Sequence, residues 1–154
     1  MELLVFFGVI IIIVVLVKVA QSNLSEVLPE DTLFNNGNSY AERGEYDQAI
    51  SNYTAALKIN PRHSKVLIHR GDTYMRKGEY DKAIADYNTV LEISPHDVVA
   101  NIAGLTNRGK AYMEKGEYDK AIADYNASLK IYPSNIVALE ELKIAYKKKK
   151  SEKR

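Results

Sequence analysis

KGEYDKAIADYN, residues 77–88, returns without a change as residues 115–126, and a looser copy, RGEYDQAISNYT, fills residues 43–54. The copies begin 34 and then 38 residues apart, and each is followed seven residues later by a proline: Pro61, Pro95 and Pro133. A self-similar period of about 20–50 residues marks stacked supersecondary units, none of which buries its apolar face alone. The fold is therefore expected to be all-α, an array of helical hairpins.

Working outward from the quoted words, each repeat holds two blocks of apolar and small residues at helical spacing. Block one carries Leu33, Asn36, Gly37 and Tyr40 in the first repeat, Leu67, Arg70, Gly71 and Tyr74 in the second, and Leu105, Arg108, Gly109 and Tyr112 in the third. Block two carries Ala49, Tyr53 and Ala56, then Ala83, Tyr87 and Val90, then Ala121, Tyr125 and Ser128. Gly37, Gly71 and Gly109, opposed to Ala49, Ala83 and Ala121, let the two helices of one hairpin approach closely. Gly44, Gly78 and Gly116 stand where block one ends and suit a left-handed cap. The carboxylates of Asp47, Asp81 and Asp119 follow at the positive end of block two. The prolines close each block by denying the next backbone hydrogen bond. Nine of the eleven tyrosines occupy three equivalent positions per repeat, which reads as core and inter-repeat filling.

Over residues 30–133 this pattern resembles the tetratricopeptide repeat, with Leu33, Leu67 and Leu105 for its Trp, Asn36, Arg70 and Arg108 for its Leu, and Tyr53, Tyr87 and Tyr125 for its Phe. The Arg positions are expected to pack their stems and send their heads to an edge. The resemblance implies a three-repeat α-solenoid in a right-handed superhelical arc. It also implies a non-catalytic protein-interaction module that takes a peptide or helix of a partner on the concave face of the first helices. That face would hold Phe34, Asn38 and Glu42, then Lys65, Ile68, His69, Asp72 and Arg76, then Thr106, Asn107, Lys110 and Glu114. One subclass of the family clamps the carboxylate terminus of chaperones with two Lys, an Arg and two Asn. The matching positions here are Phe34, Asn38, His69, Ala103 and Asn107; only Asn38 fits, so a different ligand is implied.

Repeat three has four extra residues between Pro95 and Gly109, close to one helical turn. Its first helix is expected to begin a turn early, near Asp97; a longer loop is the alternative. Beyond Pro133, Ile136, Leu139, Leu142 and Tyr146 form one helical stripe, expected to cover the open end of repeat three as a capping helix.

Residues 3–17 are fifteen residues without a polar side chain, bracketed by Glu2 and Lys18. Eighteen residues from Leu3 to Ala20 make about 27 Å of helix, close to a hydrocarbon core of about 30 Å. A single-pass membrane anchor, touching lipid through residues 3–20, is the expected reading. A cleaved secretory signal would want a basic start and a small residue where Lys18 stands. A buried core helix would need a polar face. Lys18 alone leaves the sidedness open. The expected units are an anchor at 1–20, a linker at 21–29, repeats at 30–63, 64–97 and 98–135, a capping helix at 136–148 and a basic tail at 149–154.

Composition narrows the function. Zero cysteines remove a disulfide framework, a cysteine metal site and a thiol nucleophile. Of a net charge of +1, residues 147–154 contribute +5, so the remainder is acidic and no nucleic-acid partner is expected. His63, His69 and His96 lack a second ligand at metal spacing, and His63 and His96 read as solvated turn residues. No phosphate-cradling loop or nucleophile context is present, so neither a cofactor nor catalysis is expected. The alternatives are a structural subunit of a larger membrane complex, or a secreted or periplasmic adaptor after signal cleavage.

Overall fold

The structure, a computed structural model, describes residues 28–152. The expected membrane anchor and most of the linker lie outside the described residues. Among the described residues no helix is long and apolar enough to cross a membrane. They form seven α-helices: α1 (Glu30–Glu42), α2 (Tyr46–Ile59), α3 (Ser64–Arg76), α4 (Tyr80–Ile93), α5 (Val98–Glu114), α6 (Tyr118–Ile131) and α7 (Ile136–Glu152). Three antiparallel hairpins, α1/α2, α3/α4 and α5/α6, stack in chain order, and α7 packs on the last.

The repeated words set the helix ends. Gly44, Gly78 and Gly116 take φ of 77°, 75° and 75°. The Gly44 N–H donates to the Ala41 carbonyl (3.1 Å) and the Glu45 N–H to the Tyr40 carbonyl (2.9 Å), a Schellman closure repeated after α3 and α5. A second repeated position opens the helices. Val66 N–H donates to His63 Nδ1 (3.4 Å), Ala100 N–H to Asp97 Oδ1 (2.9 Å) and Ala138 N–H to Asn135 Oδ1 (3.2 Å). Each side chain thus satisfies an otherwise orphaned donor of the first turn. His63 is therefore a helix cap rather than a free turn residue. Helix α5 starts one turn early, as expected: it has 17 residues against 13 in α3. Asn101 ties this extra turn back to the Ser94 and Pro95 carbonyls at 3.0 and 3.1 Å.

Inside each hairpin a tyrosine knob meets a glycine. Tyr53, Tyr87 and Tyr125 are 1%, 0% and 0% exposed. A Cβ added at Gly37, Gly71 or Gly109 would lie 2.5, 2.6 or 2.5 Å from the facing ring, so no side chain fits there. Burying such a ring contributes roughly 1.5–3 kcal/mol. The repeats are joined by a second device. Arg70 donates to both Asp86 oxygens (2.8 and 2.6 Å) and to Thr54 Oγ1 (3.1 Å); Arg108 does the same to Asp124 (2.8 and 2.7 Å) and Asn88 Oδ1 (2.6 Å). The guanidinium heads therefore turn inward instead of reaching an edge, because a bidentate carboxylate waits on the partner helix and an oxygen on the preceding hairpin. Asn36 and Asn52 occupy the equivalent places in repeat one, which has no preceding hairpin to grip.

Helix α7 differs from expectation in two ways. It runs to Glu152, past the boundary at 148, since Lys147–Lys150 are good helix formers with no breaker among them. It also docks by a different edge. Ala138 and Ala145 are fully buried, while Ile136, Leu139 and Tyr146 are 68%, 39% and 54% exposed. The alanines correspond to Gly104 and Ala111 of α5 and to Val66 and Thr73 of α3, all buried against the preceding hairpin. Small side chains there allow the closest approach. Lys149 bonds Asp119 as Lys115 bonds Asp81 and Lys77 bonds Asp47. Helix α7 is thus the first helix of a fourth repeat that has no second helix within residues 28–152.

Candidate functional site

Each odd-numbered helix touches the next odd-numbered one, whereas the even-numbered helices touch only odd neighbours. The stack therefore closes on the odd side and opens on the even side. The odd helices α1, α3, α5 and α7 line the inner face, where the twelve expected groove residues were placed.

A polar seam crosses this face at each junction between repeats. At the first, Tyr53 donates its hydroxyl to Asn38 Oδ1 (2.7 Å) and its ring lies 6.2 Å from His69. At the second, Tyr87 donates to Asp72 Oδ1 (2.6 Å), which also accepts the Asn107 amide (2.9 Å). At the third, Lys110 stands in the place of Asp72, and the buried Tyr125 hydroxyl has no hydrogen-bond partner. Burial pushes the Tyr53 hydroxyl pKa up to about 12, with the Asp72 charge adding to it. Burial also raises that of Tyr87, helped by Asp72, and that of Tyr125, helped by Glu141. All three stay protonated donors at neutral pH.

The first junction is aromatic. Phe34 meets His69 edge-on at 5.0 Å, stacks on His63 at 6.0 Å and tilts against Tyr53 at 6.1 Å. His69 keeps over a third of its surface in solvent. Desolvation nonetheless lowers its pKa below the ordinary histidine value; Asp72 opposes this and Lys65 adds to it. The imidazole is neutral at pH 7, a face for stacking with one donor and one acceptor nitrogen.

Of the twelve residues, Glu42, Lys65, His69, Arg76 and Glu114 are exposed, and Phe34, Asn38, Ile68, Asp72, Asn107 and Lys110 are half-buried. One does not present itself as expected. Thr106 is 6% exposed, and its hydroxyl is held by Ser128 (3.0 Å) and Asn135 (3.2 Å). The reason is that α7 and its cap close over this turn of α5. Phe34 and Ile68 both pack against the core cluster and each offers part of its side chain. The first two turns of α5 add side chains that are not among the twelve. Val99, Ile102 and Ala103 surround a shallow apolar hollow with Asn107, Lys110 and Val137, open to the same face. The spacing of 34 from Leu105 to Leu139 and from Tyr112 to Tyr146 was the signal that α7 contributes a fourth wall. Among the described residues no group of three or more His, Cys, Asp or Glu is placed to hold a metal ion.

Two family profiles, both described as tetratricopeptide repeat, match residues 34–98 and 102–135. A comparison with curated proteins gives no match. Among solved structures, the first TPR domain of human RPAP3 is similar over 80% of this chain and 94% of its own, with a TM-score of 0.73 and 25% identity. The first TPR of Spaghetti (RPAP3), bound to the HSP90 peptide SRMEEVD, aligns over 77% of this chain and 90% of its own, with a TM-score of 0.70 and 25% identity. The TPR2AB domain of yeast Sti1 in its pHSP90 complex covers 80% of this chain and 48% of that one, with a TM-score of 0.73 and 26% identity. Together the two profiles take in more than half of the sequence, over the residues that fold here as three stacked hairpins: the chain belongs to the tetratricopeptide-repeat family.

Proposed function

We propose that this chain is a non-catalytic interaction module, held at a membrane by residues 3–20, whose concave groove recruits a peptide or helix of a partner protein. The observation that carries the groove reading is the row of exposed and half-buried side chains on α1, α3 and α5. Phe34, His69, Asn107 and Lys110 stay accessible there, and hydrogen bonds close the seam at the first two of the three junctions. A preformed face of this kind orders a bound peptide without reordering itself. The relatives bound to HSP90 peptides support a peptide as the ligand class. The ligand itself differs. Of the five positions that clamp a terminal carboxylate only Asn38 matches and none of the three cations is present, and the aromatic first junction favours an apolar or aromatic side chain. The tether follows from the apolar run, which confines the groove near co-resident targets and raises their effective concentration.

The test is a peptide array probed with the full chain in mild detergent, with SRMEEVD among the spots. Bound peptides rich in apolar residues, lost on His69→Asp or Asn107→Asp, support the groove; SRMEEVD stays at background. Peptides that bind equally well to these variants overturn it. The tether is tested by the N-terminal sequence and alkaline extraction of the native protein. Loss of residues 1–20, or release into the soluble fraction, overturns the tether and favours the cleaved-signal alternative.

A further inference from the structure

Helix α7 docks by Ala138, Leu142, Ala145 and Lys149, and this leaves a second stripe uncovered. Ile136, Leu139, Lys143, Tyr146, Lys147 and Lys150 recur at spacings of three and four and so share one face. All six are exposed, and three of them are large apolar side chains. No carboxylate stands within the stripe; Glu140 flanks it.

Three occupants compete for this face. The first is a helix completing a fourth hairpin. That helix would bring a knob against the position of Gly37, Gly71 and Gly109, where even a Cβ lies within 2.5–2.6 Å of the tyrosine ring. In α7 this position is Lys143, so the hairpin contact is blocked. The second is another copy of α7 across a two-fold axis. Run parallel, it sets Lys143, Lys147 and Lys150 against their own duplicates, which repel. Run antiparallel about Lys143, it pairs the two Lys143 side chains and lays the Lys147 and Lys150 end over Ile136 and Leu139, where the ammonium groups lose water. The third is an anionic bilayer. Lysine stems lie along apolar surface while their ammonium groups reach phosphate, tyrosine sits at headgroup level, and isoleucine and leucine enter the acyl boundary.

We infer that the outer face of α7 is a second membrane contact, an interfacial stripe that lies on anionic phospholipid headgroups. It is carried by charge and exposure on α7 and does not depend on the N-terminal tether. Its effect would be to lay the array along the surface rather than let it swing from one end, which would fix the direction in which the groove opens.

The chain has no cysteine, so Glu140→Cys, beside the stripe, gives one site for an environment-sensitive fluorophore, and Ser51→Cys on α2 serves as control. The full chain is mixed with vesicles of phosphatidylcholine alone and of phosphatidylcholine with phosphatidylglycerol. On the anionic vesicles the label at 140 shifts to shorter wavelength and is shielded from an aqueous quencher; the label at 51 does neither. High salt reverses the shift, because screening shortens the reach of the lysines. The triple charge reversal Lys143→Glu, Lys147→Glu, Lys150→Glu lowers the apparent affinity of this contact on the order of a hundredfold or more, about fivefold for each lysine lost and further for each glutamate gained. It leaves the circular-dichroism melt in place. An equal shift on neutral vesicles, meaning that protein or uncharged lipid covers the face, overturns the inference. So does a shift that survives the triple reversal. Flotation separates the two contacts. A chain that floats only with anionic vesicles retains the α7 surface and loses the tether. A chain that floats with neutral vesicles but shows no emission change on the anionic ones retains the tether and loses the α7 surface.

Discussion

Removing one oxygen from each of three equivalent tyrosines tests whether the seam is built from hydrogen bonds or from ring packing alone. Tyr53, Tyr87 and Tyr125 sit in the same hairpin position, equally buried, each against a glycine, so Tyr→Phe keeps the knob and deletes only the donor. The three differ in their acceptors. Tyr87 bonds a carboxylate, Asp72, at 2.6 Å; Tyr53 bonds an amide, Asn38, at 2.7 Å; Tyr125 bonds nothing. A hydrogen bond to a charged group contributes about 1.5–3 kcal/mol net and a neutral one about 1 kcal/mol. Asp72 keeps the Asn107 amide after the change, which places Tyr87→Phe near about 2 kcal/mol and Tyr53→Phe near about 1 kcal/mol. Tyr125→Phe removes a buried hydroxyl that lacks compensation, so stability holds or rises by up to about 1 kcal/mol. At roughly 4 °C per kcal/mol for an array of this size, the melting temperature falls by about 8 °C and about 4 °C for the first two and does not fall for the third. Circular-dichroism melts of the three variants in one buffer decide it. Equal losses at all three positions would refute the reasoning, because they would mean that the ring edge and not the seam is being read.

Further outcomes follow from the joints and ends of the helices. Arg70→Met leaves Asp86, 7% exposed at its side chain, without its partner and lowers stability by about 3 kcal/mol in denaturant unfolding; adding Asp86→Leu restores most of it. Gly78→Ala forces a side chain into φ of 75° and costs about 1 kcal/mol, read as a drop in the unfolding midpoint at constant slope. Histidine NMR titration should place the His69 midpoint below the ordinary value of about 6.5. Since its folded pKa is lowered, the unfolded chain binds more protons in the interval between the two values. Its contribution is therefore complete above the unfolded pKa and is lost as pH falls, and His69→Gln removes that part of the acid dependence.

The hairpins were legible because their determinants are local. Gly44, Gly78 and Gly116 end helices by backbone geometry, the prolines stop them, and four inserted residues match one helical turn before Leu105, the form they take rather than a longer loop. What escaped depends on partners that sequence spacing does not pair. Arg70 and Asp86 are sixteen residues apart on two helices, and only the closed hairpin brings a buried carboxylate under the guanidinium. Thr106 was placed on the groove by its helical face, but the stacking of α7 hides it. The docking edge of α7 was misread because its longest apolar stripe drew attention. Close stacking is instead made by small residues seven apart, Ala138 and Ala145, and the earlier pairs Gly104/Ala111 and Val66/Thr73 carry the same message. The groove chemistry was half legible. All twelve expected residues but Thr106 keep some exposure on the inner face, but the aromatic cluster around Phe34 needs His63, which reads as a turn residue until its capping role is seen.

The central claim is that partners enter the concave face of the odd helices. Site-specific photocrosslinking tests it most directly, with a photoreactive side chain at His69 in the groove and, separately, at Ser51 on α2, in cells that express the full chain. The account predicts discrete protein adducts from His69 and none from Ser51. Adducts from Ser51 alone, or the same adducts from both, would contradict it.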